Sequence, residues 1–445
     1  FKKKKEQIYQ FIKMPQNIII NGSNSFDFQV KIPADKSITH RAIIIASMCA
    51  SEIRLLNPLL ADDCLSTIEV MRQLGAKIKQ EGSDLIVHGK NYLNFTQPKR
   101  KLYAGNSGTL IRLISGILSM QNFPSEIFGD DSLMNRPMDR VSNPLREIGC
   151  KLDTSKGKPP IKFHPSDSRK SFKYINDLPS AQVKSCMIFA AIYLQGESVI
   201  KETISTRDHT ERLLTYLDYP IKIIGSNIHI TGQGRINAKE IKIPNDISSA
   251  SFLIAAALIK ENSKLFMKDI NFNERRIGII KVLEKMGAKI SINNKRNETN
   301  DTIVDITSEY SALKPINISG DVISDLIDEL PILFIVCAAC KGISNINNIE
   351  ELRYKESDRI NSMEKGLNIL GIKTESTQSS IKIYGGDFTG GIVDSYGDHR
   401  VAMAFSIAAL ISKKPITILN TDNISTSFPN FIDILIEIGV ELYET

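Results

Sequence analysis

Hydrophobic and polar positions recur along this chain in two arrangements. In the first, a polar or acidic cluster leads straight into an apolar run of helical length. It occurs six times: PADKSITHRAIIIAS (from Pro33), NSGTLIRLISGIL (from Asn106), LPSAQVKSCMIFAAI (from Leu178), PNDISSASFLIAAAL (from Pro244), LIDELPILFIVCAAC (from Leu326) and YGDHRVAMAFSIAAL (from Tyr396). Runs apolar on every side predict buried helices. In the second, an apolar helix end meets a Gly and then an apolar pair around a charge, as in VMRQLGAKI (Gly75), PLREIGCKL (Gly149), VLEKMGAKI (Gly287), GLNILGIKT (Gly371) and ILIEIGVEL (Gly439). This predicts a helix, a left-handed Gly turn and a strand. LLTYLDYPIKI is a degenerate copy, with Asp218 and Tyr219 where the Gly would fall. Strand-like runs such as SEIRLLNPL, DLIVHG, SIKIYGG and ITILNTD fill the intervals.

Six units of roughly 70 residues are too few and too long for a solenoid. They predict an α/β (α+β) protein of two domains with three units each, helices inside and sheets outside. The expected domains are residues 1–30 plus 244–445, and 31–243, with the boundary near Gln233–Pro244. The first 30 residues do not complete a unit, so IIINGS and FDFQVKI are expected to pair with the C-terminal half. Two chain crossings then make a clamshell with a hinge.

Composition narrows the function. The 445 residues are 42% hydrophobic and 24% charged, with a formal net charge of +6, which is mild for this length. A nucleic-acid binder carries a stronger, clustered excess. The dense basic run Lys2–Lys5 reads as a solvated tail. Cys49, Cys64, Cys150, Cys186, Cys337 and Cys340 lie mostly in apolar patterns, which predicts reduced, buried thiols and a cytosol-like compartment. Plastid import of a processed precursor is also compatible with the chain. Cys337 and Cys340 form C-x-x-C inside ILFIVCAACKG, a helix context rather than a metal or redox one. The six histidines show no paired ligand spacing, so no metal is expected. No apolar run approaches a membrane span.

The helix starts bring charge together. KIPADKSITHR combines a helix-starting Pro and Asp with Lys36, Ser37 and Arg41. Helix N-termini attract anions through free N–H groups and the dipole. The other starts supply Asn106, Gly108, Thr109 and Arg112; Ser180, Ala181 and Gln182; Asp246, Ser248 and Ser249; Asp328 and Glu329; Asp398, His399 and Arg400. Equivalent helices aimed at one region would form a site for a multiply anionic ligand with acid–base groups. Ser248 and Ser249 also read as plain caps, and Arg112 as a packing arginine.

PADKSITHR, GNSGTLIR, NRPMDRVSNPLREIG, PSAQVKS, TRDHTERLL, LIDELP, ELRYKESDRI, GDHRVAMAF and STSFPNF occur in that order. Together, from about Val30 to Phe431, they resemble the 5-enolpyruvylshikimate-3-phosphate synthase family, and NRPMDR, SAQVKS and TRDHTE resemble its bacterial class II form. The resemblance implies two domains of three βαβαββ units, an inside-out α/β barrel. It implies a transferase of the shikimate pathway, serving chorismate and aromatic amino acid biosynthesis. Such an enzyme moves the enolpyruvyl group of phosphoenolpyruvate to the 5-hydroxyl of shikimate 3-phosphate and releases phosphate. It works without a cofactor, on small anionic substrates, and a cytoplasmic monomer without nucleic-acid or membrane partners is expected.

By the same resemblance, Lys36 meets both substrates at their junction. Shikimate 3-phosphate is held by Lys36, Ser37, Arg41, Ser180, Ala181, Gln182, Arg207, Asp328 and Lys355. Phosphoenolpyruvate is held by Lys36, Gly108, Arg136, Gln182, Arg359 and Arg400. Asp328 is the candidate base for the hydroxyl and Glu356 the candidate at C3, with Lys36 assisting. Burial and nearby cations are expected to pull against each other on the carboxyl pKa values, so the sequence does not assign the two roles. Asp358 and His399 are expected to orient Arg359 and Arg400, while Glu329 fits either a helix start or the site. Ala34 stands where members commonly have Gly, and Ser425 and Thr426 where many have a Lys contact. Gly108, rather than Ala, implies competition by glyphosate. Two alternatives are a UDP-N-acetylglucosamine enolpyruvyl transferase, which usually has a reactive loop cysteine, and a non-catalytic nucleic-acid clamp of six repeats.

Overall fold

The structure, a computed structural model, describes residues 17–177 and 179–445. The Lys2–Lys5 run lies outside the described residues. The six apolar runs form helices α1 (Lys36–Met48), α2 (Gly108–Leu118), α3 (Ala181–Tyr193), α4 (Ile247–Ile259), α5 (Leu330–Ala339) and α6 (His399–Ala409). They are buried almost throughout, and every residue of α4 is buried. A helix that is apolar all round has no solvent face to offer, so it goes to the centre and the sheets close over it.

Among the described residues, 24 strands form six four-stranded sheets of one topology. The sheet around α2 shows the pattern. Leu102–Tyr103 runs parallel to Ser125–Phe128, with α2 as the crossover. Lys158–His164 lies antiparallel beside Ser125–Phe128, and Lys151–Ser155 closes the edge. Three sheets are completed by strands from distant chain. Ile241–Lys242 joins Glu52–Leu56, and Asp27–Val30 joins Lys264–Asn271, both in parallel. Asn17–Ser23 lies between Ile416–Leu419 and Val440–Glu444. The IIINGS and FDFQVKI strands thus pair with the C-terminal half.

The buried apolar residues form two clusters. One runs from Ala34 to Ile243; the other joins Ile18–Ile32 to Ile247–Val440. Two chain segments pass between them, side by side. Asp35 N–H donates to Pro244 O at 2.8 Å and Asp246 N–H to Pro33 O at 2.9 Å, around an antiparallel bridge of Ala34 and Asn245.

The Gly turns behave alike. Gly75, Gly149, Gly287, Gly371 and Gly439 have φ between +85° and +105°. In the degenerate copy Asp218 takes φ +55°, so an Asp adopts the left-handed turn that Gly adopts elsewhere. All six cysteines are free and buried. No helix among the described residues is long and apolar enough to cross a membrane.

Candidate active site

The N-terminal turns of the central helices open onto one cavity of about 440 Å³ between the two apolar clusters. Local sequence explains the turns. Asp35 caps α1 through Ile38 N–H, Ser107 caps α2, Ser180 caps α3, Asp246 caps α4 and Asp398 caps α6. Each cap satisfies an N–H that the helix cannot and sets the next residues facing the cleft. Ser248 and Ser249 are therefore not caps. Their N–H groups are bonded by Asp246, which also accepts from Ser249 Oγ at 3.0 Å, so of the two hydroxyls that of Ser248 is the one turned to the neighbouring helices. Ser248 Oγ donates to Glu329 and accepts from Arg400 Nη1 at 2.7 Å.

Every residue assigned above to a substrate or to catalysis lines this cavity except Arg41: Lys36, Ser37, Gly108, Arg136, Ser180, Ala181, Gln182, Arg207, Asp328, Lys355, Glu356, Arg359 and Arg400. Arg41 is 2% exposed and lies beneath the floor. It donates to Ser37 O (2.9 Å), Thr210 Oγ1 (2.8 Å) and Ser185 Oγ (3.0 Å).

The acids and bases interlock. Lys36 Nζ lies 3.0 Å from Asp63 Oδ2. Arg359 is 1% exposed and held by Asp398 (Nε to Oδ2 2.8 Å), and its Nη2 reaches Glu356 Oε2 at 2.6 Å. Asp358 is thus not its orienting partner: it caps its own helix through Asn361 N–H and pairs with Arg353. Arg400 is held by Ser248 and by Asp328 O (2.8 Å), not by His399. Asp398 caps α6 through Oδ1 and meets Arg359 with both oxygens. Glu329 is fully buried behind the cleft, near Arg276 (3.6 Å) and Arg400 (3.8 Å).

Among the described residues, three ion pairs between side chains lining this cavity join the two halves. Arg207 pairs with Asp328, Arg136 Nη1 lies 3.4 Å from Glu356, and Arg140 forms a two-pronged contact with Glu351 (2.6 and 3.3 Å). Arg136 is steadied by Asn106, itself donating to Asp130 at 2.7 Å. Arg112 is buried in the cleft wall and donates to Gln182 Oε1 at 2.6 Å, so it is a site arginine rather than a packing one. A Cβ on Gly108 would sit 2.9 Å from Arg136 Nη1 and 3.4 Å from Arg112 Nη1, so Gly here admits both guanidiniums.

Charge sets the protonation states. Burial pushes Asp328 up, but Arg207, Lys355, Arg400 and Arg359 more than offset it and hold the carboxyl well below its usual range. Glu356 behaves likewise: burial raises it, and Arg359, Arg136, His399 and Lys36 pull it well below. Burial and the neighbouring cations thus pull in opposite directions at each carboxylate, as expected, and the cations win because each group faces several of them. His399 is held neutral by burial, Lys36 and Arg400. Burial and the Arg140 and Arg136 charges bring Arg112 down to about 9.

Asp63, Arg140, Arg276 and Glu351 also line the cleft and were not singled out from the sequence. Asp63 is the second acid of ADDCL and Arg140 ends NRPMDR, so both sat within readable patterns. Arg276, from NERRIG, had no such signal. Where the Lys contact is missing, Ser425 Oγ donates to Asp62 at 3.3 Å and Thr426 Oγ1 to Asn423 O at 2.7 Å.

The sequence profile of the EPSP synthase (3-phosphoshikimate 1-carboxyvinyltransferase) family matches residues 20–435. A 3-phosphoshikimate 1-carboxyvinyltransferase of Ruthia magnifica is 41% identical over 426 residues, 95% of this chain and 98% of that protein. One of Legionella pneumophila strain Lens is 40% identical over 407 residues, 91% and 94% of the two chains. The EPSP synthase structure from Acinetobacter baumannii superposes with a TM-score of 0.85 at 37% identity, covering 96% of this chain and all of that one. The enolpyruvyl transferase NikO from Streptomyces tendae superposes with a TM-score of 0.77 at 15% identity, covering 97% and 99%, a likeness of fold alone. The fold is that of the two-domain enolpyruvyl transferases, and this chain belongs to the EPSP synthase (3-phosphoshikimate 1-carboxyvinyltransferase) family.

Proposed function

We propose that the chain transfers the enolpyruvyl group of phosphoenolpyruvate to the 5-hydroxyl of shikimate 3-phosphate, releasing phosphate. The observation that carries this is the meeting of Lys36, Asp328, Glu356 and the forks of Arg136, Arg359 and Arg400 in one cavity. Two phosphates and two carboxylates need several cations, with planar forks for bidentate contact. Ser180 and the first turn of α3, with Ser37, Arg207 and Lys355, suit the phosphate and ring of shikimate 3-phosphate. Arg41 acts from below, holding the Ser37 carbonyl in place. Arg136, Arg359 and Arg400 suit phosphoenolpyruvate, with Gln182 between the two substrates.

The reaction needs a proton removed from the 5-hydroxyl and one delivered to C3 of the enol, which leaves C2 open to attack by the hydroxyl oxygen. The tetrahedral intermediate then loses phosphate from C2 and a proton from C3. Asp328 and Glu356, both ionised, supply acceptors at two places in the cleft. Lys36, near Glu356, supplies the ammonium proton and stabilises charge at the junction. Ligand oxygens entering the cleft take over the arginine forks from Asp328 and Glu356 and so raise their basicity. We also propose that residues 1–30 with 244–445, and 31–243, are the two closing domains, and that the enzyme is a cytoplasmic monomer. Closure would exclude water and strengthen each ion pair.

Acceptor choice tests this. Incubation with phosphoenolpyruvate and either shikimate 3-phosphate or UDP-N-acetylglucosamine, followed by mass analysis, should give an enolpyruvyl adduct only with the former. An adduct with the nucleotide sugar alone, or with neither, would overturn the proposal. The burial of all six thiols also disfavours the nucleotide-sugar reading, which calls for a reactive loop cysteine.

A further inference from the structure

Arg207 sits in an irregular stretch between strand Glu197–Glu202 and helix His209–Tyr216. An arginine on such a stretch is placed only as well as its neighbouring peptides are fixed. Behind it lies a buried polar cluster that the mechanism does not use. Lys184, in the second turn of α3, is 0% exposed. Its ammonium lies 2.7 Å from Glu211 Oε1 and 3.1 Å from Glu202 Oε1, and donates to Thr206 O at 3.3 Å. Glu202 Oε1 in turn accepts from Thr206 N–H (3.0 Å) and Thr206 Oγ1 (2.6 Å).

Thr206 is therefore gripped at three points. Its carbonyl belongs to the peptide that leads into Arg207, and that oxygen is the one Lys184 holds. On the other side of Arg207, Asp208 accepts from Asn273 at 2.7 Å. A buried ammonium is costly unless paired, and here one ammonium faces two carboxylates. Arg41 lies close enough for the Glu211 charge to favour its charged form. A cluster serving stability alone could be replaced by apolar side chains without loss of function. This one ties the helix that carries Ser180 and Gln182 to the peptide that carries Arg207.

We infer that Lys184, with Glu202 and Thr206, is a positioning unit that sets Arg207 for shikimate 3-phosphate and thereby fixes affinity for that substrate. The inference rests on the reading of Arg207 as a shikimate 3-phosphate ligand. Lys184 touches no substrate; it acts through the Thr206 carbonyl.

The test is a double-mutant cycle read by direct titration of shikimate 3-phosphate. Lys184→Met combined with Glu211→Gln removes the ammonium together with one of the two carboxylates it faces. Thr206→Val, which loses only the hydroxyl, is the second variant should the first fail to fold. Each should weaken shikimate 3-phosphate binding, by about tenfold for the former and threefold for the latter. The KM for phosphoenolpyruvate should move less than about twofold. On an Arg207→Ala background the same changes should weaken binding no further, since their effect runs through Arg207. A purely structural role predicts the opposite: equal losses on both backgrounds, or a lower melting temperature with unchanged affinity. Either result overturns the inference. If Arg207→Ala itself leaves shikimate 3-phosphate affinity unchanged, the site reading fails first and the inference with it.

Discussion

At the scale of single residues, Lys36 stands at the centre of the site's charges. Its ammonium is held by Asp63 at 3.0 Å and acts on both Glu356 and His399. Lys36→Met keeps the stem and removes the charge. Turnover should fall by at least about 100-fold, in line with loss of a proton donor and a charge at the reacting centre, while the melting temperature changes little. Steady-state kinetics beside a melting curve checks this. At Gly108 the added methyl of Gly108→Ala must displace Arg136 Nη1 from a 2.9 Å contact. Side-chain ends can yield, so the enzyme should survive, with a several-fold higher KM for phosphoenolpyruvate and weaker inhibition by glyphosate. An unchanged inhibition constant would contradict that placement. Asp328 and Glu356 both titrate well below the ordinary carboxylate range. For a depressed carboxylate the linked stability is present above its unfolded pKa and lost as pH falls through its folded one. Neither group therefore creates an acid limb in kcat/KM between about pH 5 and 8. Glu356→Gln should lower the plateau of that profile without moving its acid limb.

At the scale of elements, two helix caps stand at the paired chain crossings: Asp35 caps α1 and Asp246 caps α4. Burial first, then the Asp246 charge, push Asp35 up to about 6, against the opposing pull of His209, Arg276 and the Ile38 N–H. A raised carboxyl contributes stability below its unfolded pKa of about 4 and loses it as pH climbs through about 6. Asp35→Asn keeps the capping oxygen and removes the charge. It should raise the melting temperature by on the order of 2 °C at pH 7.5, with the gain vanishing near pH 4. A constant difference across that range would show that Asp35 carries no linked charge. The six helices and the Gly turns were readable because their patterns depend on local burial and backbone conformation alone. Even the degenerate Asp218 turn kept its place, since Asp tolerates positive φ. Side-chain partnerships were not readable in the same way. Asp358 and Asp398 both precede an arginine and both cap a helix, and only packing in three dimensions turns Asp398 onto Arg359. Arg276 and Asp63 enter the cleft from outer elements that the repeat pattern does not point inwards.

At the scale of the whole molecule, two apolar clusters share one polar seam, and the seam is the site. Arg136, Arg140 and Arg207 reach across it to Glu356, Glu351 and Asp328. Each half contributes cations and acids, so neither half alone makes the constellation. Under the proposed function, catalysis then requires both substrates, with phosphoenolpyruvate reacting only against the 5-hydroxyl of shikimate 3-phosphate. The most direct test is the rate of inorganic phosphate release from phosphoenolpyruvate with and without shikimate 3-phosphate. Release should saturate with shikimate 3-phosphate and be negligible in its absence. Release at the same rate without shikimate 3-phosphate would contradict the proposed function.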